Sequence, residues 1–405
     1  MSGKWPGGVI SKTAPTVTGP TDGEGGSASG IWTLDQAADY EKQGLWPKPL
    51  VYRQLWAWGR NNQGQLGLGS DSDKSSPLQV GALTDWKKIE TGEFCTTAIK
   101  SDGTIWTWGL GSTGQLGLGN TTSYSSPKQV GALTTWATAS ISRNHVCAVK
   151  TDGTLWTWGA NGSGQLGLGN TTYYSSPNQV GALTDWLSVA AGLYFSLAIK
   201  TDGTLWTWGY NAYGMLGDGS TTNRSSPAQV GALTDWAAAE ASYYTTIAIK
   251  TDGTMWSFGQ NNYGQLGDGT GVAARSSPVQ IGALTTWSKG AGIYYHSGAI
   301  KTDGTLWAWG RNNSGQLGQG DTTNYSSPVQ VGSLTTWDTV GGGNAVTAAR
   351  KTDGTLWAWG SGSYGQLGLG NTTSYSSPVQ VGALTTWVGL DVGGLGSSTL
   401  AFKTP

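Results

Sequence analysis

The sequence is poor in the side chains on which most chemistry depends. Its 405 residues include two cysteines, two histidines, three methionines and four phenylalanines, and only 12% of the chain is charged. Cys95 and Cys147 cannot build a disulfide framework. His145 and His296 leave little for metal ligation or proton transfer. The 23 basic and 24 acidic residues are scattered and give a net charge of −1, which argues against a nucleic-acid binder held by phosphate contacts. No apolar run approaches the roughly 18 residues of a membrane helix, so no membrane span is expected. The opening Met1-Ser-Gly-Lys-Trp-Pro-Gly-Gly8 has no apolar signal core, and a cytoplasmic location is expected unless the chain rides on a particle. These shortages point away from an enzyme and imply neither a metal nor a cofactor.

The chain is rich in glycine (66) and tryptophan (23). An internal repeat explains both. Trp-x-Trp-Gly begins at Trp56, Trp106, Trp156, Trp206, Trp307 and Trp357, and Trp-Ser-Phe-Gly at Trp256; the spacing is 50 residues, with one step of 51 where Thr270–Arg275 carries an insertion. With occasional substitutions, such as Met215 for glutamine and Ser333 for alanine, each copy continues with Gly-Gln-Leu-Gly, then Ser-Ser-Pro, then Gly-Ala-Leu-Thr-x-Trp, a variable stretch, and Ala-Ile-Lys-Thr-Asp-Gly-Thr. Every repeat tryptophan falls on one of three recurring positions, leaving Trp5, Trp32 and Trp46 outside.

The local signals are strand and turn. Leu155-Trp156-Thr157-Trp158 alternates β-prone residues, and Leu197–Lys200 reads as a second short strand. Asp202-Gly203 reads as a two-residue hairpin turn with both positions at φ > 0. The proline of Ser-Ser-Pro fits the first position of a strand or an edge. Four strands per copy, seven times over, predict an all-β, closed seven-bladed β-propeller over residues 51–405. The first copy lacks the strand before Leu55-Trp56 and the last ends on Leu400–Lys403 without its partner. These two segments are therefore expected to pair in one composite blade, hiding both edges.

Residues 1–50 form a separate N-terminal arm, Gly/Pro/Ser/Thr-rich at first. Thr33-Leu-Asp-Gln36 reads as a capping box that opens one short helix from Leu34 to about Gln43.

Residues 51–405 resemble the repeats of the regulator of chromosome condensation family. The resemblance is carried by Trp158-Gly159, Asn161, Gly164–Gly167 and Ala198–Gly203 with their counterparts. It implies a seven-bladed propeller; for function it implies little, since the family includes exchange factors, a plant ultraviolet receptor and a β-lactamase inhibitor. The family usually has a histidine nine residues after the Thr-x-Trp tryptophan. This chain has Cys95, His145, Phe195, Thr245, His296 and Val346 there, and the seventh copy does not align. Residues 7–20 together with Gly30–Ala37 and Gly44–Pro47 resemble terminal segments of marine bacteriophage virion structural proteins. That resemblance implies attachment to other virion proteins through the arm, with Trp5, Ile31, Trp32, Leu34, Leu45 and Trp46 as contacts, and location on the particle.

Several motif matches lose their force inside the repeat. Gly109–Gly114 fits a dinucleotide fingerprint, but no helix follows. Asn120-Thr-Thr122 reads as a turn rather than a glycosylation site. Asp71 and Asp73 lack the further ligands of a calcium loop. What differs between copies is more informative. The segment after Thr-x-Trp gives Glu93-Phe94, Arg143-Asn144, Leu193-Tyr194, Tyr243-Tyr244, Tyr294-Tyr295, Asn344-Ala345 and Gly394-Leu395. A second variable position follows each Trp-Gly, among them Arg60, Tyr210 and Arg311. Such residues either form a recognition ring on one face or plug the central channel.

Two functions follow as expectations. One is a non-enzymatic virion protein on a capsid, tail or fibre, whose loops contact a host surface receptor, a glycan or a neighbouring virion protein. The other is a soluble propeller, an inhibitor or scaffold, that binds a partner protein on one face.

Overall fold

The structure is a computed structural model that describes residues 52–392 and 397–405, together with a short antiparallel ladder, Val17–Thr18 with Ser27–Ala28. The helix expected from Leu34, and the arm residues Trp5, Ile31, Trp32, Leu34, Leu45 and Trp46, lie outside the described residues, as do Gly394 and Leu395. The chain divides into two units, Met1–Tyr52 and Arg53–Pro405. The second is all strand and turn, with no helix among the described residues.

Seven antiparallel four-stranded sheets make up the seven blades. A typical blade runs Trp186–Ala191, Phe195–Lys200, Leu205–Gly209 and Arg224–Gln229, in that order from the inside out. The innermost strands of all seven blades line a central cavity of 190 Å³. The second strand is buried along its whole length, because blades cover both of its faces. The third strand buries every residue except the first tryptophan of Trp-x-Trp, which is half-buried. The outer strand carries the proline of Ser-Ser-Pro at its fourth residue rather than its first. Proline is tolerated there because the strand is an edge and needs no donor on its open side.

The expected closure is present. Ser398–Lys403 pairs with Gln54–Gly59 over six residue pairs, from Gln54↔Lys403 to Gly59↔Ser398. The composite blade is completed by Trp387–Val392 inside and Lys74–Gln79 outside. Its register also aligns the seventh copy: Ser398 opposes Gly59 as His145 opposes Gly159.

The Asp-Gly turns differ from the expectation. No described residue other than glycine has positive φ, so Asp102, Asp202 and their equivalents stay in the ordinary region. Lys100 N donates to Thr104 O and Gly103 N donates to Lys100 O, each at 3.0 Å. These bonds close a three-residue loop, Ser101-Asp102-Gly103, in which only Gly103 is left-handed, at φ +76°; this is the type I turn with a glycine bulge. A side chain on Gly103 would meet the Thr134 carbonyl. Asp102 does something else: its Oδ1 accepts from the Thr104 N–H at 2.9 Å and the Thr104 hydroxyl at 2.7 Å.

Adjacent blades are stapled through one carbonyl. Trp108 Nε1 (2.9 Å) and Thr96 Oγ1 (2.8 Å) of one blade both donate to Gln65 O in the loop of the preceding blade. The tryptophan bond recurs from Trp58, Trp158, Trp208, Trp309 and Trp359. In the remaining copy Phe258 has no donor, and the carbonyl of Met215 keeps only the Thr246 hydroxyl at 3.1 Å. The inner-strand tryptophans add edge-on contacts, as between Trp86 and Trp106 at 6.2 Å and 83°, a geometry favoured by the ring quadrupole. Lys100 Nζ lies 4.5 Å from the centre of the Trp106 ring, so a lysine of low exposure is held by cation–π attraction and by Asp85 at 3.5 Å.

Candidate functional site

Two variable positions of each copy meet on one face of the ring. Each inner strand ends in a short connection to the second strand, and that connection lies beside the turn after Trp-Gly. A backbone hydrogen bond ties them together: Leu110 N to Phe94 O, Ala160 N to Asn144 O, Tyr210 N to Tyr194 O, Gln260 N to Tyr244 O and Arg311 N to Tyr295 O, all 2.8–2.9 Å. The framework therefore fixes the backbone while the side chains are free to differ.

On three adjacent blades those side chains form one aromatic arc. Tyr194 packs on Tyr210, and Tyr210 and Tyr213 on Tyr244. Tyr243 contacts Tyr244 and stacks on Tyr294 at 4.1 Å between ring centres. Tyr295 closes the arc against Tyr243, Tyr294 and Tyr263. The Arg311 guanidinium covers both Tyr263 and Tyr295 at 5.3 and 5.7 Å. Further round the ring, Arg60 lies over Phe94 (5.2 Å) and Tyr364 (5.0 Å), and Arg143 lies over Phe94 and pairs with Glu93 at 3.5 Å.

Glu93, Phe94, Arg143, Asn144, Tyr194, Tyr243, Tyr244, Tyr294, Tyr295 and Asn344 are all half-buried, whereas Leu193 is buried. Desolvation raises the pKa of Tyr244, Tyr294 and Tyr295 above the ordinary phenol range, and neighbouring phenols push the same way. These hydroxyls are neutral and can donate or accept. Burial also raises the Glu93 carboxyl, against the opposing pull of Arg143 and Arg60. Tyr213, Tyr263 and Tyr364, which complete this face, were missed from sequence. Their signal was a third copy-variable position, before the second glycine of the turn, where tyrosine alternates with Gln63, Thr113, Ser163 and Ser314.

The central channel is chemically different. Glu90, Glu240 and Asp391 occupy the same fifth position of three inner strands; the other four copies have Ser140, Ala190, Ala291 and Gly341 there. Asp391 Oδ2 accepts from Thr91 N at 2.5 Å and Thr91 Oγ1 at 2.6 Å. Glu240 is open to the lumen while protein surrounds it on every side. Desolvation, with the Asp391 charge adding to it, lifts Glu240 to about 7. Asp391 is lifted to about 6 by desolvation despite its two Thr91 bonds. Glu90 is raised well above its usual range by desolvation, then by Asp391 and Glu240. Sequence reading passed over these three because each copy contributes at most one.

The seven residues at the family histidine position, Cys95, His145, Phe195, Thr245, His296, Val346 and Ser398, are buried. His145 Nε2 lies 2.8 Å from Ser196 Oγ in the next blade. That hydroxyl donates to Gln165 O, so it accepts from His145 and sets the proton on Nε2. His296 makes the equivalent bond to Thr347 at 2.8 Å. Burial holds both imidazoles down at about 3. They are neutral blade-to-blade ties. Cys95 and Cys147 are free, buried thiols pushed up to about 12 by desolvation. Among the described residues, no group of three or more His, Cys, Asp or Glu side chains is placed to hold a metal ion.

The regulator of chromosome condensation (RCC1) repeat model matches seven times, at residues 54–99, 102–149, 152–199, 202–249, 252–300, 303–350 and 353–397, and a second model of that repeat matches at 138–165, 186–214 and 237–265. Among solved structures, human WBSCR16 superposes with a TM-score of 0.77 at 19% identity, over 87% of this chain and 99% of that one. Prp20p from Saccharomyces cerevisiae, described with its binding to Gsp1p and histones, gives 0.77 at 19% identity over 88% and 92%. The structure of Kap60 bound to yeast RCC1 (Prp20) gives 0.77 at 18% identity over 87% and 89%. At these identities the likeness is one of fold. No curated protein is detectably similar in sequence.

Proposed function

This chain belongs to the regulator of chromosome condensation repeat family, and on that premise we propose that it is a non-enzymatic interaction propeller that binds a protein partner on its tyrosine face. The observation that carries this reading is the continuous arc of eight tyrosines from Tyr194 to Tyr295, seven half-buried and Tyr213 exposed, fixed on a rigid framework. Tyrosine offers a large apolar face and a neutral hydroxyl at little entropic cost, the combination that dominates binding hot spots. Arg60, Arg143 and Arg311, spread on aromatic rings, keep guanidinium edges for carboxylates of the partner. The yeast relative's binding to Gsp1p and histones supports a protein-binding use of the fold. The test is affinity capture with the full chain and with a Tyr243→Ala/Tyr294→Ala/Tyr295→Ala variant. A partner held by the first and lost by the second, at similar melting temperature, bears the reading out.

A second reading rests on residues 7–20 and 30–47, which resemble virion segments. In it the arm anchors the propeller to a bacteriophage capsid, tail or fibre, and the tyrosine face meets a host surface or a neighbouring virion protein. Mass spectrometry of purified particles tests it. Removal of residues 1–46 separates the two readings: incorporation is lost if the arm is the anchor, and partner capture survives if the face alone binds.

A further inference from the structure

The junctions between blades carry a second feature, at the opposite end of the inner strands from the tyrosine loops. Between the composite blade and the next one a cavity of 330 Å³ is walled by Trp86, Trp106, Leu83 and Pro127, with glycine backbone and Ser126 completing it. Equivalent cavities of 230 Å³, at Trp287, Trp307, Leu284 and Pro328, and of 420 Å³, at Trp387, Trp56, Leu384 and Pro77, lie at two further junctions. The same residue types recur at the remaining four, because every one of them belongs to the repeat framework.

Two properties mark these cavities as more than packing defects. The rim leucine is exposed in every copy, at 42–48% from Leu83 to Leu384, and nothing in the ring explains a leucine there. The outer-strand position five residues earlier drifts from the exposed Leu78 and Lys128 to the half-buried Asn178, Ala228 and Val279. The glycine two residues before the rim leucine, Gly81 at φ +61° and its counterparts, is set by its left-handed backbone and leaves the rim open beside it.

We propose that the seven inter-blade cavities are sugar-binding subsites, each taking one neutral pyranose ring. A pyranose has an apolar C–H face bordered by hydroxyls. The half-buried indole of Trp106, the rim leucine and the proline ring give that face a matching wall, while the serine hydroxyl and glycine backbone border it with polar groups. The lining has no free charge: Asp268, which enters one cavity, is 3% exposed at its side chain and bound by Arg275 at 2.9 Å. The lysines beside the wall tryptophans, such as Lys100 at 4.5 Å from the Trp106 ring centre, are already engaged in cation–π contacts, so a neutral ring suits the lining. The volumes sit near the low end of ligand pockets, roughly 300–1,000 Å³, as suits a single ring. Each site is shallow and weak alone. Seven on one rim bind a sugar-coated surface by avidity, worth roughly 10²–10⁴ over a single site. The proposal does not depend on the tyrosine face.

The test titrates the full chain with methyl glycosides of glucose, galactose, mannose and N-acetylglucosamine, read by saturation-transfer NMR and by the tryptophan indole signals. The expected result is binding of at least one glycoside with a Kd of about 1 mM, saturation from the C–H face, and shifts among the half-buried indoles. Replacing the seven rim leucines with alanine is expected to weaken binding tenfold or more, and Tyr243→Ala/Tyr294→Ala to leave it unchanged. Should the sevenfold variant not fold, the wild-type indole shifts decide by themselves. The proposal is overturned by silence from all four glycosides well above 1 mM, by binding that survives in a folded leucine variant, by loss in the tyrosine variant, or by cyclohexanol binding as well as any glycoside.

Discussion

Trp58 and Gln366 stand 308 residues apart in the chain, and the indole N–H of one donates to the carbonyl of the other at 3.0 Å. Thr399 Oγ1 donates to the same carbonyl, also at 3.0 Å. The junction made by closure thus carries the same two donors as the junctions at Trp108, Trp208, Trp309 and Trp359, and closure itself introduces no weaker seam.

Deletion of Ser398–Pro405 is expected to destabilise the propeller by at least about 5 kcal/mol. It removes Leu400 and Phe402, which are only 0% and 4% exposed and whose burial contributes about 1.5–3 kcal/mol each, and leaves Gln54–Gly59 without its inner partner. Thermal denaturation checks it; an unchanged midpoint would contradict closure.

Trp108→Phe is expected to cost about 1–2 kcal/mol by removing one of two donors to the Gln65 carbonyl. The reverse change, Phe258→Trp, supplies the donor that the Met215 carbonyl lacks, and Gly217 faces the ring as Gly67 faces Trp108. A gain of up to about 1 kcal/mol is expected, seen as a small rise in melting temperature.

The channel carboxylates set a pH dependence. Glu240 titrates at about 7 in the fold against 4.5 as its ordinary value. A raised carboxyl pKa means that the folded state holds the proton more tightly. Its stabilising effect is complete below about 4.5 and is lost as the pH rises through 7. Lys88 is the cation interacting with Glu90 on the same inner strand. Water in the lumen screens the effect. Glu240→Gln is expected to match wild type at pH 5 and exceed it at pH 8 by on the order of 1 kcal/mol. His145 and His296, held down at about 3, act in the opposite sense as acid is added. The comparison must therefore be variant against wild type at each pH.

On the tyrosine face, Tyr243→Ala with Tyr294→Ala removes a stacked pair worth about 0.5–1.5 kcal/mol beyond its area. Partner affinity is expected to fall at least tenfold while the ring stays folded, because the backbone bonds from Gln260 and Arg311 to the loop carbonyls do not involve these side chains. Binding assays paired with circular dichroism check both halves.

The ring was legible in the sequence because every copy restates one framework, and a 50-residue period leaves no alternative placement for Trp-x-Trp or Ser-Ser-Pro. The turns were legible as turns but not in type. Asp102-Gly103 satisfies a two-residue loop on paper, and only the bond from Lys100 to Thr104 adds Ser101 to it. Ser398 joins its six counterparts through strand register, because the seventh copy does not align by sequence. Of the candidate face, the doublets from Glu93-Phe94 to Asn344-Ala345 were visible as variation between copies. Tyr213 and Tyr263 were hidden by the near-constant glycines around them, and the channel acids by their spacing of 150 residues.

The composite blade also sets a clock. Gln54–Gly59 is made about 340 residues before its inner neighbour, Ser398–Lys403. At roughly 5–20 residues per second, that strand waits on the order of 20–70 s for its partner during synthesis. Throughout that interval six successive blades can stack while a Trp-rich edge stays open to any nascent neighbour on the same messenger, and the copies are nearly interchangeable in sequence. Slow translation or crowded polysomes therefore favour strand exchange between chains, and the last eight residues act as the release step that turns an adhesive spiral into a sealed ring.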